Sequence, residues 1–259
     1  MNNGSLNEDP PTDAKAVILA GGRGTRLAPY TSILPKPLMP IGDRAILEIV
    51  LEQLGRQGFN DVVLCVGHLS HLIRAVFENG AAHHMNGSRP LRISYVHEDE
   101  PLGTAGSLRM VEGLDRTFLV MNGDLLTTLD YADLLRRHRE SNHVLTIATK
   151  RRGIAVDYGV LHLQEGSEEL PRVTAYAEKP EFTSTVSMGV YALEPRALDF
   201  IPPEGAFDFP DLVHALLDAG EPVAAYPYDG LWFDIGRRED YERALEAWQR
   251  SELADEAML

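Results

Sequence analysis

A glycine-rich loop that carries fixed positive charge follows the first apolar stretch of this sequence. Residues 16–27 read AVILAGGRGTRL, with three glycines, two arginines and a threonine directly after the apolar run. Glycine has no Cβ, so the backbone of such a loop can turn tightly and point successive N–H groups at the oxygens of an anion. At the carboxyl end of a parallel strand, the loop would lie where open α/β folds bind their ligands. The pattern therefore predicts a site for an anionic ligand.

Individual residues exclude two other kinds of glycine loop. A Walker A loop requires Gly-x-x-x-x-Gly-Lys-Ser/Thr, and no lysine stands at that spacing. A dinucleotide-binding loop requires Gly-x-Gly-x-x-Gly, and from Gly22 and Gly24 the third position is Leu27, which is too large for close packing. The sequence therefore disfavours a P-loop nucleotidase and a dinucleotide-dependent dehydrogenase.

Two carboxylates and a lysine could complete a phosphate-transfer site. Asp124 follows an apolar stretch in VMNGD, Asp234 lies in WFDIG, and a proline-rich segment leads Lys36 back toward the glycines. Mg²⁺ is commonly held by one or two protein carboxylates together with phosphate oxygens and water, so both aspartates are candidate metal ligands. Taken alone, each aspartate is more often a turn former or a helix cap.

Residues 20–48, AGGRGTRLAPYTSILPKPLMPIGDRAILE, resemble the signature of the sugar-phosphate nucleotidyltransferases, which reads close to GGxGTRLxPxTxxxPKPLxPI. In that family the metal-binding aspartates lie in a Gly-Asp turn after a strand and in a Trp-x-Asp-x-Gly segment. Both patterns match here, at Asp124 and Asp234. The resemblance therefore implies Mg²⁺ as the cofactor, held by these two residues.

Three further segments resemble motifs of the same family: HEDEPLGTAGS at 97–107, DYGV at 157–160 and AEKP at 177–180. The resemblance implies catalytic roles for Arg26, Lys36, Asp124 and Asp234. It implies nucleotide binding by Leu19, Ala20, Gly21, Gly22, Gly24, Thr25, Arg26, Glu98, Pro101, Gly103 and Thr104. It implies sugar-phosphate binding by Asn122, Tyr158, Gly159, Glu178, Lys179, Ser187 and Gly189.

One segment departs from the family pattern. Where the family often has Asn-Ala-Gly before the strand that lines the sugar pocket, this chain has Ser187-Met188-Gly189. Serine is shorter than asparagine and has no amide, so the hydrogen bonds to the sugar are expected to differ. The departure bears on the identity of the sugar and leaves the reaction unchanged.

The resemblance implies a reaction between a nucleoside triphosphate and a hexose or heptose 1-phosphate, giving a nucleoside-diphosphate sugar and pyrophosphate. The segment PLGTAG at 101–106 favours GTP, and glucose-1-phosphate thymidylyl or uridylyl transfer is the alternative. A non-catalytic regulatory subunit that binds nucleotide sugars is an alternative from another class. Such a subunit would be expected to lack a catalytic charge, whereas Arg26, Lys36, Asp124, Lys179 and Asp234 are all present.

Composition limits the partners and the compartment. The 259 residues carry a formal net charge of −15, which argues against a nucleic-acid or anionic membrane surface, and no apolar stretch is long enough to span a bilayer. The single cysteine, Cys65, lies in an apolar run, so no intramolecular disulfide is possible and we expect a cytoplasmic protein. A homo-oligomer remains open. His68 follows a predicted strand and could approach the site, although a structural role is favoured.

Strands and helices alternate over the first half of the chain and predict a doubly wound, mainly parallel α/β sheet. Predicted strands cover 15–19, 61–66, 91–96, 117–121 and 144–149, with helices at 43–55, 68–78, 104–111 and 131–140. Shorter strand-like runs after Lys150 predict a small, partly antiparallel sugar-binding subdomain. The predicted organisation is a disordered extension at 1–13, then one nucleotidyltransferase domain at 14–251 with a nucleotide-binding core (14–150), a sugar-phosphate part (151–236) and a final helix (238–251). We expect no C-terminal β-helix.

Overall fold

A computed structural model describes residues 14–22, 24, 27, 29–77, 91–164, 166, 169–236 and 238–250. The extension predicted at 1–13 lies outside the described residues. The strands are β1 (Lys15–Ala20), β2 (Pro40–Ile41), β3 (Arg44–Ala45), β4 (Asp61–Val66), β5 (Arg92–His97), β6 (Phe118–Asn122), β7 (Leu125–Thr127), β8 (Leu145–Ala155), β9 (Val160–Leu163), β10 (Val173–Ala177), β11 (Glu181–Leu193), β12 (Val223–Pro227) and β13 (Trp232–Asp234). The helices are α1 (Ile46–Arg56), α2 (Ser70–Phe77), α3 (Tyr131–Arg139), α4 (Phe209–Asp218) and α5 (Arg238–Gln249).

The central sheet has seven strands in the order β12-β8-β11-β6-β1-β4-β5. Strands β6, β1, β4 and β5 are parallel neighbours, as are β12 and β8, whereas β11 runs antiparallel to both β6 and β8. The prediction of a doubly wound, mainly parallel sheet is therefore confirmed.

The strand sequences account for this architecture. In β1, Ala16 and Ile18 belong to one buried cluster and Val17 belongs to the other, because successive side chains point to opposite faces of the sheet. The first cluster includes the apolar faces of α1 and α3, and the second includes that of α4. Strands that bury both faces have nearly continuous apolar sequences, which is the pattern of β4, including the fully buried Cys65.

Beyond the sheet, β8 and β11 continue as a long antiparallel ribbon that pairs Glu181 with Ala155 at its far end. Between these two strands in the chain, β9 and β10 pair as a separate antiparallel hairpin. The predicted partly antiparallel portion is thus present, but its last strand begins at Glu181 and runs into the central sheet. The β8–β11 ribbon thus extends the central sheet, whereas β9 and β10 form a separate two-stranded sheet.

Two predicted helices have different bounds in the structure. Helix α1 begins at Ile46 with Ala45 as its N-cap, because Asp43 lies in the tight turn that joins β2 to β3. Gly42 has a φ of +63° in this turn, as short hairpin turns require. The helix predicted at 104–111 is a short 3-10 helix, Gly106–Met110.

Within the described part of the chain, no helix has both the length and the apolar character needed to cross a membrane.

A buried ion pair attaches α5 to the ribbon. Arg152 of β8 donates to both carboxylate oxygens of Asp240, at 3.1 Å each, and the Asp240 side chain is only 3% exposed. The guanidinium also lies 5.7 Å from the ring of Trp232 in β13, and the Trp232 indole donates to the carbonyl of Met188. These contacts position β13, the strand that ends in Asp234.

We expect Asp240→Ala to lower the free energy of unfolding by about 2 kcal/mol, because it removes a buried carboxylate that accepts hydrogen bonds from Arg152 and Arg243. Glu242→Ala in the same helix is the matched control, since it removes only the exposed pair with Arg238 and should cause little change. Urea unfolding of both variants measures the difference. Equal losses would contradict a structural role for the Arg152–Asp240 pair.

Candidate active site

A cavity of about 590 Å³ lies at the carboxyl edge of the parallel strands. It is lined by many of the residues predicted from the sequence, namely Leu19, Ala20, Gly21, Gly22, Gly24, Lys36, Glu98, Pro101, Gly103, Thr104, Asn122 and Asp124. It is also lined by residues that the sequence had not assigned to the site, namely Pro37, Gly67, His97, Asp99, Ser107, Gly123 and Asp208, and by His68. Thr25 and Arg26 lie outside the described residues.

The register of the sheet brings these segments together. Leu19 of β1 is level with Cys65 of β4 and with Asn122 of β6, so the loops that leave the three strands start at the same edge. The amide of Gly123 donates to the carbonyl of Leu19 at 2.8 Å. The glycine loop and the turn that contains Asp124 are therefore direct neighbours.

The proline-rich segment returns Lys36 to this edge. A 3-10 helix, Lys36–Leu38, places the lysine side chain where it is only 10% exposed, and its ammonium pairs with the carboxylate of Asp124. A lysine with so little access to water requires such a partner. The two opposite charges thus satisfy each other beside the glycine loop.

Backbone pairing brings the segment that contains Asp234 next to Asp124. Strand β13 pairs with β7, which follows the Asp124 turn, and the amide of Ile235 donates to the carbonyl of Asp124 at 3.0 Å. Asp234 is not among the cavity-lining residues, and its carboxylate accepts from the amide of Gly236 at 2.9 Å.

This donor set fits Mg²⁺, which takes one or two carboxylates and completes its shell with phosphate oxygens and water. Asp124 and Asp234 would offer two hard oxygen donors, from segments that the backbone hydrogen bond of Ile235 to Asp124 and the pairing of β13 with β7 bring together. Over the described ranges there is no cluster of three or more histidine, cysteine or acidic side chains suited to a metal ion.

Glu98 provides an acceptor group at the cavity wall. It follows β5, its amide donates to the carbonyl of Val66, and its carboxylate accepts weakly from the amide of Leu102 at 3.4 Å. Burial raises the pKa of the Glu98 carboxyl, while the Leu102 amide and His97 act in the opposite direction. A Cβ on Gly21 would lie 2.9 Å from a Glu98 oxygen, so the glycine leaves room for this carboxylate.

The predicted sugar-phosphate residues lie outside this cavity, with the exception of Asn122. Tyr158 is 78% exposed, and Glu178 and Lys179 are exposed in the turn between β10 and β11. The Glu178 carboxylate accepts from the hydroxyl of Tyr176, and Lys179 has a φ of +45°.

Ser187 and Gly189 lie in the part of β11 that packs next to the cavity. The Ser187 hydroxyl accepts from the amide of Gly189 at 3.2 Å and donates to the hydroxyl of Tyr191 at 3.3 Å. A Cβ on Gly189 would lie 2.5 Å from the side-chain nitrogen Nδ2 of Asn122. Close packing of these two residues places β11 directly against the cavity wall.

The doubly wound sheet and its cavity define the chain as an α/β protein with a ligand site at the carboxyl edge of the sheet. Residues 15–251 match the family described as nucleotidyl transferase, and the chain belongs to this family. This confirms the resemblance seen in the sequence motifs.

A UTP–glucose-1-phosphate uridylyltransferase of Synechocystis is 34% identical over 245 residues, which cover 89% of this chain and 62% of that protein. A mannose-1-phosphate guanylyltransferase of Mycobacterium tuberculosis is 33% identical over 234 residues, with coverages of 88% and 62%. The crystal structure of HddC from Yersinia pseudotuberculosis has a TM-score of 0.66 and 27% identity, covering 91% of this chain and 99% of that chain. HddC has also been solved complexed with GMP-PN. The chain thus spans about 62% of the length of the curated relatives it matches.

Proposed function

We propose that this chain transfers a nucleotidyl group from a nucleoside triphosphate to a sugar 1-phosphate, giving a nucleoside-diphosphate sugar and pyrophosphate. The observation that carries the proposal is the cavity in which the glycine loop, Lys36 and Asp124 meet. The named activities of the relatives support it, since each is a sugar-1-phosphate nucleotidyltransferase.

The chemistry requires positioning and charge neutralisation more than acid–base catalysis. The nucleophile is an oxygen of the sugar phosphate, which is already anionic at neutral pH and so requires no general base. This oxygen forms a bond to the α-phosphorus in line with the departing pyrophosphate, and the bond between the α- and β-phosphates breaks. Two polyanions must therefore be held together in a fixed orientation.

The roles of the charged residues follow from this requirement. Lys36 neutralises the reacting phosphates from its position beside Asp124, and Arg26 binds the triphosphate and the leaving pyrophosphate. The glycine loop, with Thr25, offers backbone N–H groups to the phosphate oxygens. Asp124 and Asp234 hold Mg²⁺, which supplies positive charge to the phosphate oxygens when it is bound.

For the sugar phosphate, we assign the phosphate to Lys179 and the sugar hydroxyls to Glu178, with Tyr158, Gly159 and Asn122 completing the pocket. Ser187 and Gly189 lie on the strand next to Asn122. We infer a hexose or heptose 1-phosphate as the acceptor.

For the base of the donor nucleotide, we propose guanine, so that GTP is the substrate. An ionised carboxylate only accepts hydrogen bonds. Guanine presents two adjacent donors, N1–H and the exocyclic amine, whereas uracil and thymine present one donor between two acceptors. Glu98 at the cavity wall therefore favours guanine, and the binding of GMP-PN by HddC supports GTP. Uridylyl transfer to glucose 1-phosphate is the second candidate, favoured by the Synechocystis relative.

We further propose that the protein acts in the cytoplasm with these two small molecules as its partners. The net charge of −15 disfavours nucleic acid and anionic membranes, and the buried Cys65 needs no oxidising compartment.

The proposed function is tested by pyrophosphate release across a matrix of five nucleoside triphosphates against mannose, glucose, heptose and N-acetylglucosamine 1-phosphates, with and without Mg²⁺. We expect release that depends on the metal and is fastest with GTP and one sugar phosphate. Binding of nucleotide sugars without any release would support a regulatory subunit and overturn the proposed reaction.

Asp124→Asn tests the metal assignment. We expect turnover to fall about 100-fold or more, because the change removes one carboxylate charge at the site of phosphate transfer. Asp115→Asn is the control, since Asp115 is exposed and does not line the cavity. Near-normal turnover of Asp124→Asn at saturating Mg²⁺ would contradict the assignment of Asp124 as a metal ligand.

Glu98→Gln tests the recognition of the base. In the wild type, GTP affinity should weaken as the pH falls through the raised pKa of Glu98, because the protonated carboxyl presents a donor to guanine's donors. The glutamine variant should show a smaller pH dependence than the wild type, because only the titration of the ligand phosphate is common to both, and it should bind GTP about 10- to 100-fold more weakly, with a relative gain for UTP and dTTP. Titration calorimetry between pH 5 and 8 measures both effects. Glu100→Gln, an exposed neighbour outside the cavity, is the control, and an unchanged GTP preference in Glu98→Gln would exclude Glu98 as the reader of the base.

A further inference from the structure

The hydroxyl of Thr104 is engaged within the protein. It donates to Oδ1 of Asp208 at 3.0 Å and accepts from the amide of Phe209 at 2.9 Å. The amide of Thr104 donates to the same Asp208 oxygen at 2.8 Å. One carboxylate oxygen therefore accepts two hydrogen bonds from a single residue of the loop 101–106, the loop whose residues the family resemblance assigns to nucleotide binding.

The backbone of Phe207 completes this attachment. Its carbonyl accepts from the amides of Ala105 and Gly106, at 3.0 and 2.8 Å, and its amide donates to the carbonyl of Leu102 at 2.8 Å. Gly103 has a φ of +77°, and a Cβ there would lie 2.6 Å from the Phe207 carbonyl oxygen. The loop 101–106 is thus shaped by close contact with residues 207–209.

The support behind these contacts is rigid. Asp208 is the N-cap of α4, where it forms a capping box with Asp211, whose carboxylate accepts from the Asp208 amide at 3.0 Å. Phe209 is buried and stacks on Tyr191 of β11, with ring centroids 4.0 Å apart and planes 7° apart. The Asp208 carboxylate is therefore held on a helix end that is anchored in the core.

We propose that Asp208 is a positioning residue that holds the loop 101–106 in the conformation that binds the nucleotide base. Asp208 lines the cavity, but its Oδ1 is occupied by Thr104, so it acts through the loop. The inference rests on the proposed function, because that function makes a nucleoside triphosphate the ligand of the cavity that Pro101, Gly103 and Thr104 line together with Glu98. It also gives the hydroxyl of Thr104 a role within the protein, which is to attach the loop to Asp208.

The chain offers a matched set of variants for the test. Asp208→Ala removes the acceptor of both Thr104 bonds, Asp208→Asn keeps an acceptor oxygen, and Asp211→Ala weakens the same helix cap without touching the loop. A residue that only caps α4 would lower the stability of the helix in Asp208→Ala without weakening GTP binding or accelerating the exchange of the loop amides.

We expect Asp208→Ala to raise the KM and the Kd for GTP about tenfold and to leave kcat within about twofold. Asp208→Asn and Asp211→Ala should stay within about threefold of the wild type for all three constants. Hydrogen exchange of the amides of residues 104–106 should accelerate in Asp208→Ala only. In a double-mutant cycle, the loss of GTP affinity in Asp208→Ala combined with Thr104→Val should be smaller than the sum of the two single losses, because the two residues share an interaction.

The outcomes separate this inference from the proposed function. A wild-type chain that binds no triphosphate would overturn both, whereas a wild type that binds GTP together with unchanged affinity in Asp208→Ala would overturn the positioning role alone. Equal losses in Asp208→Ala and Asp211→Ala would also overturn it, in favour of helix capping. Faster exchange of the loop amides with a tenfold weaker Kd, confined to Asp208→Ala, would establish it.

Discussion

Parallel pairing of β1 with both β4 and β6 is the constraint on which the rest of the site depends. Parallel strands in register end at the same edge of the sheet, so residues far apart in sequence begin their loops side by side. Here this places the glycine loop beside the turn that holds Asp124, and the small pairing of β13 with β7 then brings Asp234 alongside. The register of the strands alone therefore brings the loops of the candidate active site together, without any contribution from side-chain contacts.

The charge of the molecule gives this edge its importance. A protein of net charge −15 repels polyanions over most of its surface, so an anion-binding site requires its cations to be concentrated where the ligand enters. Lys36 is such a cation, and its pairing with Asp124 avoids the free-energy cost of leaving either charge unpartnered in a site with little access to water. The pair also places a positive and a negative group at the point where phosphates and a metal ion would meet.

Much of the fold and the nucleotide side of the site could be predicted from the sequence. The continuous apolar runs of β1 and β4 identify buried parallel strands, and the glycine and proline motifs mark the loops at their ends. The N-terminal bound of α1 could not be found, because a helix cap and a hairpin turn favour the same residue types, and Asp43 forms the turn.

Asp208 could not be assigned to the site from the sequence, since nothing in the local pattern of residues indicates a hydrogen bond to a loop 104 residues earlier. Such contacts depend on tertiary packing. One of them reaches further still: Phe209, next to Asp208, stacks on Tyr191, whose hydroxyl receives the hydrogen bond of Ser187. The loop assigned to the base and the strand assigned to the sugar thus rest on the same pair of aromatic rings. Grafting the 101–106 loop of a relative onto this chain would therefore transplant only part of a unit, and the smallest exchangeable module includes the start of α4 and the sheet-bound end of β11.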